Sequence, residues 1–299
     1  MHRKAKALFG AFLAGGGLVG LALWFISAPA PLERSEWQSP AGDALRGERV
    51  FNIGGCASCH MDKGAKGEAR LALGGGQAFD TPFGIFYAPN ISPGKTGIQG
   101  WSAQDLANAL LRGVSPDGAH YYPAFPYGSY ARMSQQEVAD LKAYMDTLPP
   151  VERANRPHEL PFPFNIRRSI GLWKAMFMDV EPVIETVELA GQYLVEGLGH
   201  CAQCHTARNL LGGLDQSRWM AGAPNPEGKG RIPNLTPGGN LAGWSVEDIA
   251  YYLKSGFTPE YDTAGSTMVE VVENLSRATD EDRLAIARYL KALPPLADP

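Results

Sequence analysis

The sequence predicts a mainly α-helical protein built from two tandem domains behind an N-terminal transmembrane helix. Three observations carry this prediction. Two five-residue cysteine motifs of the same pattern stand 145 residues apart and head matching stretches of chain. No segment shows the strict apolar–polar alternation of a half-buried strand. An uncharged run of 20 residues follows a basic N-terminus. The expected boundaries are 1–30 for the anchor, 40–150 for the first domain, 151–187 for a linker and 188–299 for the second domain. With 35 Gly and 23 Pro, the chain should be rich in loops and its helices short. A formal net charge of −4 leaves no basic footprint for nucleic acid.

The N-terminal element comes first. Arg3, Lys4 and Lys6 precede the run from Ala7 to Ile26, whose length matches what a helix needs to cross the hydrocarbon core. Gly15, Gly16 and Gly17 interrupt the run, and membrane helices tolerate glycine better than soluble ones. The alternative is a signal peptide cleaved after Ala28-Pro29-Ala30. Pro31 just after that cut, and the bulky Trp24-Phe25-Ile26 before it, favour a retained anchor. In both cases the positive-inside rule keeps the basic flank in the cytoplasm and exports the rest.

All four cysteines lie in Cys56-Ala57-Ser58-Cys59-His60 and Cys201-Ala202-Gln203-Cys204-His205. This C-x-x-C-H spacing is the attachment signature of c-type haem. Two thiols three positions apart on one helical turn reach the two porphyrin vinyl groups, and the following imidazole then sits under the iron. Cys56, Cys59, Cys201 and Cys204 are therefore the expected attachment residues for two covalently bound haem c groups, with His60 and His205 as proximal ligands. Disulfides would not explain a histidine after each pair. A shared four-cysteine zinc site would have to join motifs 145 residues apart. A redox dithiol needs a βαβ context that neither motif has.

The repeat extends beyond the motifs. Gly47-Glu48-Arg49-Val50-Phe51 parallels Gly191-Gln192-Tyr193-Leu194-Val195. Pro89-Asn90-Ile91-Ser92-Pro93-Gly94 parallels Pro233-Asn234-Leu235-Thr236-Pro237-Gly238. Gly100-Trp101-Ser102 parallels Gly243-Trp244-Ser245, and each copy closes on Leu-Pro-Pro, at Leu148 and Leu293. Ser102 and Ser245 read as helix N-caps with acidic residues in the first turn. Ser134 to Glu137 and Thr279 to Asp282 read as capping boxes that open each terminal helix.

An electron-transfer haem commonly takes Met as sixth ligand. In the second domain the candidate is Met268, ahead of the terminal helix, with Met220 as competitor. In the first domain the equivalent register falls near Pro123 to Phe125, where no Met stands. The nearest is Met133, with His120 as the alternative that would make the haem bis-His. Tyr121, Tyr122, Phe125, Tyr127 and Tyr130 are expected to pack on the haem. Trp101, Trp244 and Arg231 are candidates for propionate contacts. The linker holds an amphipathic segment around Ile170-Trp173-Met176-Phe177, read as a strap between domains or a docking face.

Thr81-Pro82-Phe83-Gly84, Pro89-Asn90-Ile91-Ser92-Pro93, Tyr122-Pro123-Ala124-Phe125-Pro126-Tyr127 and Leu160-Pro161-Phe162-Pro163-Phe164-Asn165 carry a family resemblance. From about Gly47 to Pro295 the chain resembles the membrane-bound multihaem cytochrome c subunits of periplasmic alcohol and gluconate dehydrogenases of Gram-negative bacteria. The resemblance implies class I cytochrome c domains and electron transfer, not catalysis. It also implies a periplasmic dehydrogenase subunit as donor, and a quinone, an oxidase or a small cytochrome as acceptor. Many members carry a third haem domain, whereas this chain has two C-x-x-C-H sites. The competing function is a dihaem enzyme, such as a peroxidase or thiosulfate dehydrogenase, which needs one haem with an open sixth position.

Overall fold

The computed structural model describes residues 15–225 and 230–298. Helix α1 covers 15–26, and every side chain on it is exposed. Residues 7–14 of the predicted 20-residue run lie outside the described residues. Among the described residues no helix is long and apolar enough to cross a membrane.

The first repeat runs through α2 (Ala44–Ile53), α3 (Cys56–His60), α4 (Ala103–Arg112), α5 (Tyr127–Tyr130) and α6 (Gln135–Met145). The linker carries α7 (Ile170–Phe177), which covers the amphipathic segment around Trp173. The second repeat runs through α8 (Leu189–Gln192), a π-helical continuation Tyr193–Leu198, α9 (Ala202–His205), α10 (Val246–Ser255), α11 (Met268–Leu275) and α12 (Asp280–Ala292).

The local signals explain the helix starts. Ser102, Ser134, Ser245 and Thr279 all form reciprocal capping boxes, with Asp105, Glu137, Asp248 and Asp282 respectively. Helices α4 and α10 stop at Gly113 and Gly256, both in the left-handed region at φ 58° and 79°, where glycine carries no Cβ penalty.

In each repeat the helix before the cysteine motif crosses the terminal helix at a glycine. A Cβ on Gly47 would lie 2.8 Å from Tyr144 Cβ on α6, and one on Gly191 would lie 2.7 Å from Tyr289 Cβ on α12. The repeat therefore preserves these glycines as the contact points of two helix pairs. The apolar faces of both repeats merge into one buried cluster, which includes Val50, Phe51, Leu141 and Met145 alongside Val195, Leu198, Ile286 and Leu290.

The expectation of helix and loop alone is corrected in two places. Ala78–Thr81 (β1) pairs antiparallel with Gly84–Tyr87 (β2), and Ala223–Pro224 (β3) with Arg231–Ile232 (β4). Both ribbons are too short to show alternation. The first is closed by the two-residue turn Pro82-Phe83, with Gly84 at φ 120°, a conformation reserved for glycine.

Candidate haem sites

In both repeats the cysteine motif sits on a single helical turn whose last residue is histidine. His60 Nδ1 lies 2.7 Å from Pro89 O, and His205 Nδ1 lies 2.8 Å from Pro233 O. A carbonyl oxygen only accepts, so Nδ1 carries the proton and Nε2 keeps its lone pair. Burial holds both imidazoles below their ordinary pKa, against the opposing pull of the carbonyl bond. Each ring is thus neutral and oriented, with one nitrogen left for a metal. The peptide oxygens are tied down as well, since His60 O accepts from Gly75 N–H at 2.7 Å and His205 O from Gly222 N–H at 2.9 Å.

The proline carbonyls are positioned by a clasp that recurs in the two repeats. Asn90 Nδ2 donates to Val151 O at 2.8 Å, and Val151 N–H donates to Ser92 Oγ at 2.9 Å. In the second copy Asn234 Nδ2 donates to Leu296 O at 2.8 Å, and Leu296 N–H to Thr236 Oγ1 at 3.0 Å. The residue just after each Leu-Pro-Pro is therefore bonded to the loop whose proline carbonyl fixes the histidine. This joins three repeated motifs into one device, a role that none of them reveals by itself.

Burial pushes the Cys56 and Cys201 thiols up to about 12. Among the described residues no group of three or more His, Cys, Asp or Glu gathers to hold a metal ion, which removes the shared zinc site. The donor set fits haem c: paired thiols on one turn, then an imidazole with a fixed tautomer.

The candidate sixth ligands are placed as follows. Met133 is 5% exposed and belongs to the core cluster, just before the N-cap of α6. Met268 is the first residue of α11 and packs against the same cluster from a half-buried position. Met220 is fully buried, in the left-handed region at φ 59°, and its N–H donates to Thr206 Oγ1 at 2.9 Å. His120 is buried with Nε2 3.0 Å from Ser27 O, so it serves the segment that leaves α1.

The aromatic group divides. Phe125 meets the rings of Tyr121, Tyr127 and Tyr130 at 5.7–6.1 Å. Tyr122 packs instead on Phe86 and on His158 of the linker, each at 5.6 Å. Trp101 and Trp244 are half-buried against the core, and Arg231 is exposed on β4.

Sequence reasoning missed two groups. His200 reaches across the repeats to Tyr130 and Gly54. Asn274, 2% exposed, donates to Ser58 Oγ inside the first cysteine motif at 2.7 Å. A polar residue on the inner face of the amphipathic α11 was the available signal for Asn274.

The cytochrome c family model matches residues 44–149. The chain is 53% identical over 282 residues to a protein of Cereibacter sphaeroides described as "Diheme cytochrome c-type", covering 93% of this chain and 95% of that one. It is 37% identical to the fructose dehydrogenase cytochrome subunit of Gluconobacter japonicus, covering 85% of this chain and 53% of that protein. It is also 37% identical to the gluconate 2-dehydrogenase cytochrome c subunit of Pantoea cypripedii, covering 85% of this chain and 60% of that protein. With a near-full-length relative at that identity, and one oriented histidine behind each cysteine pair, the chain belongs to the dihaem c-type cytochromes.

Proposed function

We propose that this chain is a membrane-anchored carrier with two haem sites, one in each of two domains, that relays electrons from a periplasmic dehydrogenase subunit toward the respiratory chain. The observation that carries the reading is the duplicated histidine, held at Nδ1 by Pro89 O in one repeat and Pro233 O in the other. Cys56 and Cys59 would bind the first haem c and Cys201 and Cys204 the second, with His60 and Met133 holding the first iron and His205 and Met268 the second. When bound, haem c supplies one-electron exchange between ferric and ferrous iron. The chain fixes ligand orientation, and a thioether partner raises the potential while closing the iron to substrates. The acceptor would be a quinone, an oxidase or a small cytochrome. The relatives that are dehydrogenase cytochrome subunits support a dehydrogenase as donor.

The anchor belongs to this proposal. Helix α1 exposes Leu18, Val19, Leu21, Phe25 and Ile26, as a helix embedded in lipid would, and Trp24 at its end stacks under the Arg168 guanidinium at 4.2 Å. Its end is seated in the body of the protein. Arg168 donates to Trp24 O at 2.7 Å and to Ser27 Oγ at 3.1 Å, and Gly171 leaves no room for a Cβ beside Ser27. This seat supports retention of the segment on the periplasmic side of the inner membrane over its cleavage.

Optical and paramagnetic spectra of the oxidised protein test the ligand assignment. Two low-spin haems with sulfur-to-iron charge-transfer bands are expected. Met133→Ala should turn the first haem alone high-spin, and Met268→Ala the second alone. If His120→Ala acts on the first haem and Met133→Ala does not, that iron is bis-His. A high-spin haem in the unmodified protein would replace the carrier by a dihaem enzyme.

A further inference from the structure

The two cysteine motifs do not sit in isolated domains; they meet. Tyr130, on α5 of the first repeat, donates its hydroxyl to Gly54 O at 2.7 Å, two residues before Cys56. His200, the residue directly before Cys201, places Nε2 3.3 Å from the same Gly54 oxygen. The His200 and Tyr130 rings stand edge to face, with centroids 5.5 Å apart and an interplanar angle of 83°. Thus one carbonyl at the head of the first motif is shared by a side chain of each repeat. Asn274 closes the other side through its bond to Ser58.

The backbone at this junction is unusual. His200 lies in the left-handed region at φ 41°, which is costly for a residue with a Cβ. Strain of this kind persists where the surroundings over-determine it, and it concentrates at functional sites. A turn into the second motif could have used glycine, as Gly55 does at φ 65° before the first. Histidine here instead gives a ring that bridges the repeats.

We infer that the Tyr130–Gly54–His200 junction locks the two haem-attachment segments at a fixed separation and orientation, so that the two haem sites exchange electrons within one molecule. Tyr130 and His200 are positioning residues in this scheme. With both groups bound, the exchange would move one electron, one site being oxidised as the other is reduced. The inference rests on the two-haem reading above. It predicts an internal exchange that is independent of protein concentration and sensitive to the junction.

The test is flash or pulse reduction of the full-length protein by less than one electron per molecule, followed by redistribution between the two haems in their absorption bands. The unmodified protein should show a concentration-independent phase. Tyr130→Phe keeps the ring and removes the donated bond, and should slow that phase by roughly 3- to 30-fold, the range over which residues of a coupling network act. His200→Ala should slow it as much. His200→Asn, which tolerates the left-handed backbone and keeps a donor, should restore it in part. Axial-ligand spectra should stay unchanged in all three. The proposal is overturned if variants that retain both haems redistribute at the unmodified rate, or if the unmodified protein exchanges only between molecules. Should His200→Ala fail to fold, Tyr130→Phe decides. A haem count below two per chain would instead defeat the two-haem reading, which separates the two failures.

Discussion

Gly191→Ala places a single methyl group at the crossing of α8 and α12, where there is no space for it. The new carbon would lie 2.7 Å from Tyr289 Cβ and 2.8 Å from Ala285 C, and closer still to the Ala285 carbonyl oxygen. Ordinary carbon–carbon contact is about 3.5–4.0 Å, so the helices must part by roughly 1 Å. The obstacle is backbone, which cannot rotate away as the tip of a side chain can. A gap of that size forfeits a quarter to a half of each dispersion contact it opens. The affected neighbours include Tyr289 and Ile286, at 0% and 2% exposure, and Leu290 at 4%. Overpacking typically costs 1–3 kcal/mol, and a backbone obstacle places this change at the upper end, about 3 kcal/mol. The assay is urea denaturation of the haem-loaded protein, with far-ultraviolet circular dichroism and Soret absorbance read in parallel. Gly47→Ala, with its Cβ 2.8 Å from Tyr144 Cβ, should behave alike in the first repeat. Gly243→Ala is the control: nothing lies within 4 Å of its new carbon, so it should shift stability by less than about 0.5 kcal/mol. The reasoning is refuted if Gly191→Ala is as mild as Gly243→Ala.

Replacing Cys56 and Cys59 by Ala should remove one covalent haem and leave the second, read as one haem per chain by pyridine haemochrome; two haems still bound would sink the assignment. Asp282 links the repeats through Arg49, with contacts of 2.6 and 3.0 Å. Burial raises its carboxyl pKa, but the Arg49 pair and the Thr279 cap outweigh that and hold it below the ordinary 3.8. Its stabilisation is therefore fully present above about pH 4 and is lost as pH falls through the depressed folded value. Asp282→Asn should cost about 1–2 kcal/mol near pH 7, discounted because Arg49 is 41% exposed. That difference from the unmodified protein should shrink as pH falls through the depressed folded value, and a difference constant across acid titration would contradict it.

Much of this protein is written locally. The C-x-x-C-H turns are covalent chemistry on one helical turn, legible wherever the spacing occurs. The helix starts follow from a hydroxyl and a carboxylate three residues apart, a bond formed within one turn, and so Ser102, Ser134, Ser245 and Thr279 fell where their sequences placed them. Repetition marked Gly47, Gly191, Pro89-Asn90 and Pro233-Asn234 as pairs without telling their purpose. That purpose is tertiary. The glycines matter because two helices cross there, and the asparagines because a chain more than 60 residues away returns to them. His200 and Asn274 gave least in the sequence, since contacts across 70–216 positions leave no periodic trace. His120 shows the converse. Its residue type marks it in the sequence as a candidate iron ligand, and only packing sets its Nε2 3.0 Å from the Ser27 carbonyl. Local bonding is fixed by neighbours along the chain and can be read there; the partner of a side chain that looks inward is chosen only when the repeats close on one another.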